Sequence, residues 1–411
     1  MQFKDLQLNK PILKAIVESD YENPTLIQEK VIPLVLAKKD VIASAQTGTG
    51  KTAAFALPIL QMLFDKQDAS KKGKKLRALI VSPTRELAQQ INESFNTYGK
   101  YTNLRSTVVY GGSAIEPQID ILRKGVDILI ATPGRLLDLF KQNMVNLANV
   151  ETLVLDEADQ MLDMGFIEDV LKIEKSCPKQ KQILLFSATM PNKVVQLANT
   201  ILNTAEKIDV TSSSVVTKSV HQVLFYVPKP KKIELCLHLL RNTIKGTVII
   251  FRRTKFGVDK LEKALLKNNY KVDSIHGDKS QTARQDALKK FKKGEVDILI
   301  ASDVAARGID IKDVDAVINF DLPNQPEIYV HRIGRTGRAG KEGVSVSFCS
   351  ADEKSYVTNI EKLIHKNIPV EADHPYPLDP KAKPEIHKKQ GSKYKKGRKS
   401  DASKKKKKRW Y

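Results

Sequence analysis

The stretch VIASAQTGTGKT, residues 41–52, decides the fold class of this 411-residue chain. A strand-like apolar run, residues 41–44, leads into a glycine-containing loop, and a helix-like run, residues 53–63, follows. The loop consists of Ala45, Gln46, Thr47, Gly48, Thr49, Gly50, Lys51 and Thr52. A loop ending in GTGKT between a strand and a helix is typical of a phosphate-binding loop, with Ala45 in place of the usual first glycine.

The residue types in this loop suit phosphate. Gly48 and Gly50 let the backbone curl so that its N–H groups point at phosphate oxygens, and the start of the next helix adds the positive end of its dipole. Lys51 supplies a positive charge, and the Thr52 hydroxyl can reach Mg²⁺. The segment therefore predicts a site for Mg²⁺ and nucleotide phosphates.

Carboxylates follow a second apolar run, residues 153–155, which is typical of a buried strand. Asp156, Glu157 and Asp159 come directly after it, where the strand ends of an α/β sheet border a ligand crevice. Asp156 would complete the metal site, and Glu157 would polarise the attacking water. The alternative is a tight connection and a solvated sheet edge, but the order of the two segments favours a nucleotide site.

Length and composition indicate two to three globular domains, with 41% hydrophobic residues. The three cysteines, Cys177, Cys236 and Cys349, are far apart, which favours a reduced protein. The chain starts without an apolar signal core, and no run approaches the length of a membrane span. A cytoplasmic protein without membrane attachment is therefore expected.

The net charge of +22 points to a polyanionic partner. Residues 375–411 contain fifteen Lys or Arg and three Asp or Glu, so this end carries +12 of the total. Because it also lacks apolar periodicity, it is expected to be disordered. It is interpreted as an electrostatic arm for nucleic acid, the alternative being a solubilising tail.

Strand-like and helix-like segments alternate, which predicts doubly wound parallel sheets. Strands are predicted at 79–82, 107–110, 127–131, 153–155 and 183–186, and again at 223–227, 248–251, 272–275, 297–301, 317–319 and 344–348. The hexapeptide VDILIA occurs at 126–131 and 296–301, which suggests a duplicated domain. The expected organisation is a first domain at 1–208, a Ser/Thr-rich linker at 209–218, a second domain at 219–370 and a disordered basic tail at 371–411.

The second half contributes HRIGRTGR, residues 331–338, with arginines at three-residue spacing. The planar guanidinium suits γ-phosphate oxygens, and an arginine from outside the P-loop domain can act as a finger on the transition state. The alternative is a basic helix end that binds solvent or a carboxylate. The neighbouring P-loop domain favours the finger.

Together these segments resemble the motifs of DEAD-box RNA helicases of superfamily 2, most closely the bacterial RhlE-like group, over about residues 1–370. The adenine-recognising Q motif is matched by Phe3, Tyr21, Pro24, Thr25 and Gln28. The other matching segments are 45–52, 83–88, 111–112, 132–135, 156–159 and 187–189, then 276–284, 302–310 and 329–338.

The resemblance implies two tandem RecA-like α/β domains, ATP and Mg²⁺ as cofactors, and RNA-stimulated ATP hydrolysis. The catalytic residues that it implies are Lys51, Asp156, Glu157, Arg335 and Arg338, with Thr52 and Asp156 at the metal. The nucleotide would be bound by Tyr21, Thr25, Gln28, residues 45–52, Gly308 and Asp310. Ser187 and Thr189 would bond Asp159 and link hydrolysis to RNA, and His331 would be an interdomain contact.

RNA-backbone contacts are implied for Thr84, Arg85, Gly112, Thr132, Gly134, Arg135, Arg252, Gln281, Arg284 and Ser302. Of these, Thr84, Gly134 and Gln281 could instead be helix caps or turn residues. Three positions depart from the family pattern: Asp20 stands where Gly is frequent, Arg253 where Asn is common, and Ser302 where Thr is usual. The last two are expected to alter RNA contacts.

The implied function is an ATP-dependent RNA helicase that separates short duplexes locally and non-processively, or remodels RNA–protein complexes. Backbone and 2′-OH contacts imply little sequence specificity. A monomer is expected, with ribosomal or ribonucleoprotein complexes as candidate partners. Two alternatives remain: an ATP-gated RNA clamp or annealing chaperone that does not unwind, and a DNA helicase of the same superfamily.

Overall fold

Two parallel sheets, each flanked by helices, make up the computed structural model of the chain. The structure describes residues 1–45, 48–66, 75–202, 204–210, 220–306, 311, 314–337 and 342–379, without the side chains of 304 and 306. No helix in these ranges is both long and apolar enough to cross a membrane.

The first sheet has the strand order β3-β4-β2-β5-β6-β1-β7, with all neighbours parallel. Its strands are β1 (Asp40–Ser44), β2 (Ala78–Val81), β3 (Ser106–Val109), β4 (Ile128–Ala131), β5 (Thr152–Leu155), β6 (Gln182–Ser187) and β7 (Ala205–Asp209). Its helices are α1 (Lys10–Val17), α2 (Leu26–Leu36), α3 (Lys51–Asp65), α4 (Arg85–Tyr98), α5 (Glu116–Arg123), α6 (Pro133–Lys141), α7 (Ala158–Asp163), α8 (Ile167–Ser176) and α9 (Asn192–Ile201).

The second sheet has the order β10-β11-β9-β12-β13-β8 and is also parallel. Its strands are β8 (Val220–Tyr226), β9 (Val248–Arg252), β10 (Val272–Ile275), β11 (Ile298–Ser302), β12 (Ala316–Asn319) and β13 (Gly343–Cys349). Its helices are α10 (Lys232–Asn242), α11 (Lys255–Lys267), α12 (Gln281–Lys292), α13 (Asp303–Ala306), α14 (Pro326–Ile333) and α15 (Lys354–Ile364).

Burial on both faces explains why the strands are continuous apolar runs. In β2, Ala78 and Ile80 pack in the core on one face of the sheet, and Leu79 and Val81 pack in the core on the other. Both faces are covered by helices, so the strands can contribute site residues only at their ends. The loops at the carboxyl edge are therefore the expected place for a ligand site.

The two sheets share one topology. When β8 is matched to β1, the order of the second sheet repeats that of the first without β7. The repeated hexapeptide ends in β4 and β11, which occupy matching places, so the two copies mark equivalent positions of a duplicated fold.

Two segments differ from the expectation. Strand β7 was not predicted, because its AEKID sequence lies at an exposed sheet edge and lacks an apolar pattern. Residues 371–379, expected in the disordered tail, pack along β8. The Leu378 N–H donates to the Tyr226 carbonyl at 3.0 Å, and the His374 ring lies 5.4 Å from that of Phe225. Residues 380–411 lie outside the described residues.

Candidate active site

The phosphate-binding loop connects β1 to α3 and needs glycine for its backbone. Gly48 and Gly50 have φ of +87° and +95°, a left-handed conformation that glycine adopts without strain. A Cβ on Gly50 would also lie 2.4 Å from Nε2 of Gln28. The predicted nucleotide ligands Gln46 and Thr47 lie outside the described residues.

Gln28 joins the Q motif to this loop. Its Nε2 donates to the Gly50 carbonyl at 3.2 Å, and its Oε1 accepts the Thr25 N–H at 2.9 Å. The amide nitrogen keeps a second hydrogen to donate, and the amide oxygen keeps a second lone pair to accept. Both suit the edge of an adenine base. Tyr21, 45% exposed and stacked on Phe3 at 6.5 Å between ring centres, offers a surface beside it. The amide of Gln28 is thus held in place before nucleotide binds.

Three buried charged side chains belong to the phosphate-binding loop and to the carboxylate segment after β5. Lys51, Asp156 and Glu157 are each at most 6% exposed. Burial raises the pKa of Asp156, and it raises that of Glu157 to about 7, against the opposing charges of Lys51 and Arg335. Within the described part of the chain, the Lys51 ammonium has no hydrogen-bond partner. An unpartnered buried cation beside carboxylates fits a nucleotide phosphate with its Mg²⁺.

Glu157 occupies a turn that few residue types tolerate. Its φ of 54° and ψ of 53° are left-handed, although it is not glycine, and it lies between β5 and α7. Its N–H donates to Oδ1 of Asp156 at 3.0 Å. Strained conformations of this kind persist at functional sites, where the surrounding structure enforces them.

The predicted coupling residues lie together. Asp159 Oδ2 accepts both the N–H and the hydroxyl of Thr189, at 2.8 and 2.9 Å, and the Asp159 N–H donates to Ser187 Oγ at 3.2 Å. His331 Nε2, from the second domain, is 3.9 Å from the same carboxylate oxygen. Burial acts to raise the pKa of Asp159, but His331, Lys51 and Thr189 together lower it. This carboxylate therefore links the two domains.

Arg335 reaches the same cleft from beyond the end of α14. It is 6% exposed, and its charge acts on Glu157. With Asp159, Thr189 and His331 it lines an interdomain cavity of about 210 Å³. The other predicted residues of this group, Arg338, Gly308 and Asp310, lie outside the described residues.

In the first domain, some of the predicted RNA-binding residues lie around one loop, and others lie at helix starts. Arg85 lies against Gly112, since a Cβ there would be 2.1 Å from Nη2 of Arg85, and Arg135 Nη2 donates to the Ser113 carbonyl at 2.9 Å. These residues surround the loop after β3, near exposed Gly134. Thr84, by contrast, caps α4 by accepting the Leu87 N–H at 3.3 Å. Thr132 is 9% exposed at the start of α6.

Glu86 was missed as a site residue. Its Oε1 accepts from Gln281 Nε2 at 3.1 Å and lies 2.9 Å from Arg284 Nη2, so it joins α4 to α12 across the domains. Gln285 Nε2 also donates to Gln89 Oε1, at 3.1 Å. In the sequence, the sign of a role for Glu86 was its place directly after Arg85 in segment 83–88. We name these contacts the α4–α12 latch.

Arg252, which was predicted to contact RNA, packs against residues of the second domain. Its guanidinium lies 4.1 Å from the Phe320 ring centre and 3.4 Å from Asp321, and a Cβ on Gly257 would be 2.4 Å from it. Burial lowers its pKa. Arg252 therefore packs inside the second domain. Ser302 ends β11 and is 7% exposed.

The fold and site define a P-loop ATPase with two parallel-sheet domains. The DEAD/DEAH box helicase family matches residues 25–197, and the helicase conserved C-terminal domain matches 231–340. The ATP-dependent RNA helicase CshA of Limosilactobacillus reuteri is 45% identical over 88% of this chain and 72% of its own length. The chain therefore belongs to the DEAD-box helicase family, as its motifs predicted.

Two solved structures are similar to this chain over most of its length. S. cerevisiae Dbp5 bound to RNA and ADP BeF3 is 32% identical and covers 90% of this chain and 95% of its own, with a TM-score of 0.80. A DEAD box protein from Methanococcus jannaschii is 40% identical and covers 90% and 99%, but its TM-score is 0.53. Both structures match this chain over nine tenths of its length, and the Dbp5 structure superposes on it more closely.

Proposed function

We propose that this ATP-dependent RNA helicase couples hydrolysis to local, non-processive separation of short RNA duplexes, or to remodelling of RNA–protein complexes. One observation carries the proposal: Glu157 and Arg335 come from different domains and are buried in one cleft, where their charges interact. This arrangement requires closed domains, so hydrolysis depends on closure.

The residues divide the hydrolytic work. Lys51 and the loop backbone would hold the phosphates, and Thr52 and Asp156 would hold Mg²⁺, which would neutralise phosphate charge. Glu157 would orient the attacking water, and its pKa of about 7 suits proton transfer near neutral pH. Arg335 would stabilise the charge that develops on the transferred phosphoryl group.

RNA would bind at the side of the cleft that holds the α4–α12 latch. Arg85 and Arg135 supply cations from the first domain, and Gln281 and Arg284 lie on the second. Because RNA would contact both halves, it would favour the closed form that also assembles the ATP site. Two ligands that both favour closure raise each other's affinity.

The organisation of the chain also belongs to this proposal. We place the domains at 1–208 and 219–370 with a linker at 209–218, supported by the end of β7 at Asp209 and the start of β8 at Val220. One chain supplies both halves of the site, which supports action as a monomer. Ribosomal or ribonucleoprotein complexes in the cytoplasm are the proposed setting.

ATP turnover and strand displacement test the function together. We expect RNA, but not DNA of the same sequence, to stimulate ATP turnover, and a short RNA duplex to be separated only with ATP. Equal stimulation by DNA would favour a DNA helicase. Turnover without strand displacement would favour an ATP-gated clamp or annealing chaperone. The Lys51→Ala variant is the control for contaminating ATPases.

A further inference from the structure

Three cations hold the connection between β12 and α14 in the second domain. The carbonyl of Phe320 accepts from Lys232 Nζ at 2.9 Å, and the next carbonyl, of Asp321, accepts from Arg332 Nη1 at 2.7 Å. The carbonyl of Leu322 then accepts from Arg253 Nη2, also at 2.7 Å. Three successive carbonyls thus each bind a different cation.

This cluster occupies the second domain's counterpart of the phosphate site. Lys232 begins α10 after β8, as Lys51 begins α3 after the matching strand β1. Lys232 is 2% exposed, and its ammonium bonds Glu353 and lies 3.7 Å from Asp321. The protein's own carboxylates therefore pair with the cation that matches the phosphate-binding lysine of the first domain.

Glu353 completes the cluster. It accepts the Leu322 N–H at 3.3 Å, so both peptide groups of that residue are held. Its other oxygen accepts the N–H and hydroxyl of Ser350 at 3.1 and 2.8 Å. Buried charges are costly unless such bonds satisfy them, which makes the geometry of the cluster specific.

The held connection leads directly into α14. That helix carries His331, near Asp159 of the first domain, and Arg335 follows its end. Arg332 on the same helix is 2% exposed and bonds Asp303 at 2.8 Å and Asn319 at 3.1 Å. A shift of the connection would therefore move the arginine finger relative to Glu157.

Arg253 contacts other residues of the second domain. Its Nη2 contacts Leu322 and Glu353, the latter at 3.3 Å, and its guanidinium lies 5.2 Å from the Tyr356 ring centre. All three partners belong to the second domain. These contacts do not favour the expectation that an arginine at position 253 alters RNA binding.

We propose that the second domain's counterpart of the nucleotide site supports α14, and that Arg253 is a positioning residue for Arg335. This inference rests on the proposed function. Kinetics distinguish a support for Arg335 from an RNA contact. Loss of a support lowers the turnover number, whereas loss of an RNA contact lowers RNA affinity. One nitrogen of Arg253, Nη2, makes both contacts, so the ammonium of a lysine, which has three donors, can replace part of them.

The test compares Arg253→Met and Arg253→Lys with a matched control, Arg241→Met. Arg241 also donates one hydrogen bond to a neutral oxygen, Oδ1 of Asn268 at 2.6 Å. It lies near the end of α10 that is opposite Lys232. We expect Arg253→Met to lower kcat on the order of tenfold, with the RNA concentration for half-maximal stimulation unchanged. Arg253→Lys should recover part of kcat, and Arg241→Met should match the unmodified chain.

Thermal unfolding of each variant separates loss of folding from loss of positioning. A raised half-maximal RNA concentration at unchanged kcat would overturn the inference in favour of an RNA contact. An unchanged kcat in both Arg253 variants would overturn it as well. If RNA fails to stimulate the unmodified chain, the proposed function fails instead, so the two failures are distinguishable.

Discussion

At the scale of single residues, Glu157 is held where a carboxylate is unfavourable. It is 2% exposed, its backbone is left-handed, and its pKa is raised by burial. Buried ionisable groups with shifted pKa values cluster at active sites. The sequence predicted this residue from its place after a strand, but strain and burial depend on neighbours that only the fold brings together.

Replacing Glu157 by glutamine should separate hydrolysis from binding. The amide keeps the size of the side chain but cannot accept a proton from water. We therefore expect Glu157→Gln to lose ATP turnover and retain ATP-dependent RNA binding, measured by fluorescence anisotropy of a labelled strand. Lys51→Ala should instead weaken nucleotide binding itself. Loss of both functions in a folded Glu157→Gln variant would contradict this role.

The same substitution should change stability with pH. The folded-state pKa of Glu157, about 7, lies above its ordinary value of 4.5. Between these values the folded state keeps a proton that the unfolded chain has lost, so the free energy of unfolding falls as pH rises. Glu157→Gln should therefore match the unmodified chain near pH 4.5 and exceed its stability at pH 8. Denaturant unfolding without nucleotide measures this, and equal stability at pH 8 would refute it.

At the scale of elements, the α4–α12 latch shows what sequence alone could not supply. Gln281 and Glu86 are 195 residues apart, and nothing in local periodicity pairs them. Segments 45–52 and 156–159 could be placed at strand ends because each follows an apolar run. Which segments meet depends on domain arrangement.

Weakening the latch should lower the coupling between ATP and RNA. Glu86→Gln keeps an acceptor for Gln281 but removes the charge near Arg284. We expect RNA affinity in the presence of a nonhydrolysable ATP analogue to fall roughly tenfold, since hydrogen bonds to charged groups contribute about 1.5–3 kcal/mol. Gln285→Ala, which removes only the neutral Gln285–Gln89 contact of the latch, should have a smaller effect than Glu86→Gln. Unchanged RNA affinity in Glu86→Gln would exclude the latch from closure.

At the scale of the whole molecule, duplication was visible in sequence as a single repeated hexapeptide. The full correspondence of strand order required the structure, because most matching strands share only apolar character. The packing of the segment that follows residue 370 could not be predicted for a similar reason. Residues 371–379 are polar and rich in proline, yet they bond to the edge of β8.

The basic end of the chain should act on RNA affinity and not on turnover. Truncation after residue 379 removes fifteen Lys or Arg. It should flatten the slope of log RNA affinity against log salt by about 0.7 for each phosphate that the tail contacts. Turnover at saturating RNA should be unchanged. Truncation after residue 370 should also lower the unfolding temperature, because it removes packed residues. An unchanged salt slope would indicate a solubilising tail.

The division of the active site between two domains is tested most directly by Arg335→Ala. The measurement is ATP turnover at saturating ATP and RNA, with Arg241→Ala as the control. We predict that turnover falls by about 10³ to 10⁵, the range associated with arginine fingers, while ATP and RNA still bind. Turnover equal to that of the unmodified chain would contradict a hydrolytic site completed by the second domain.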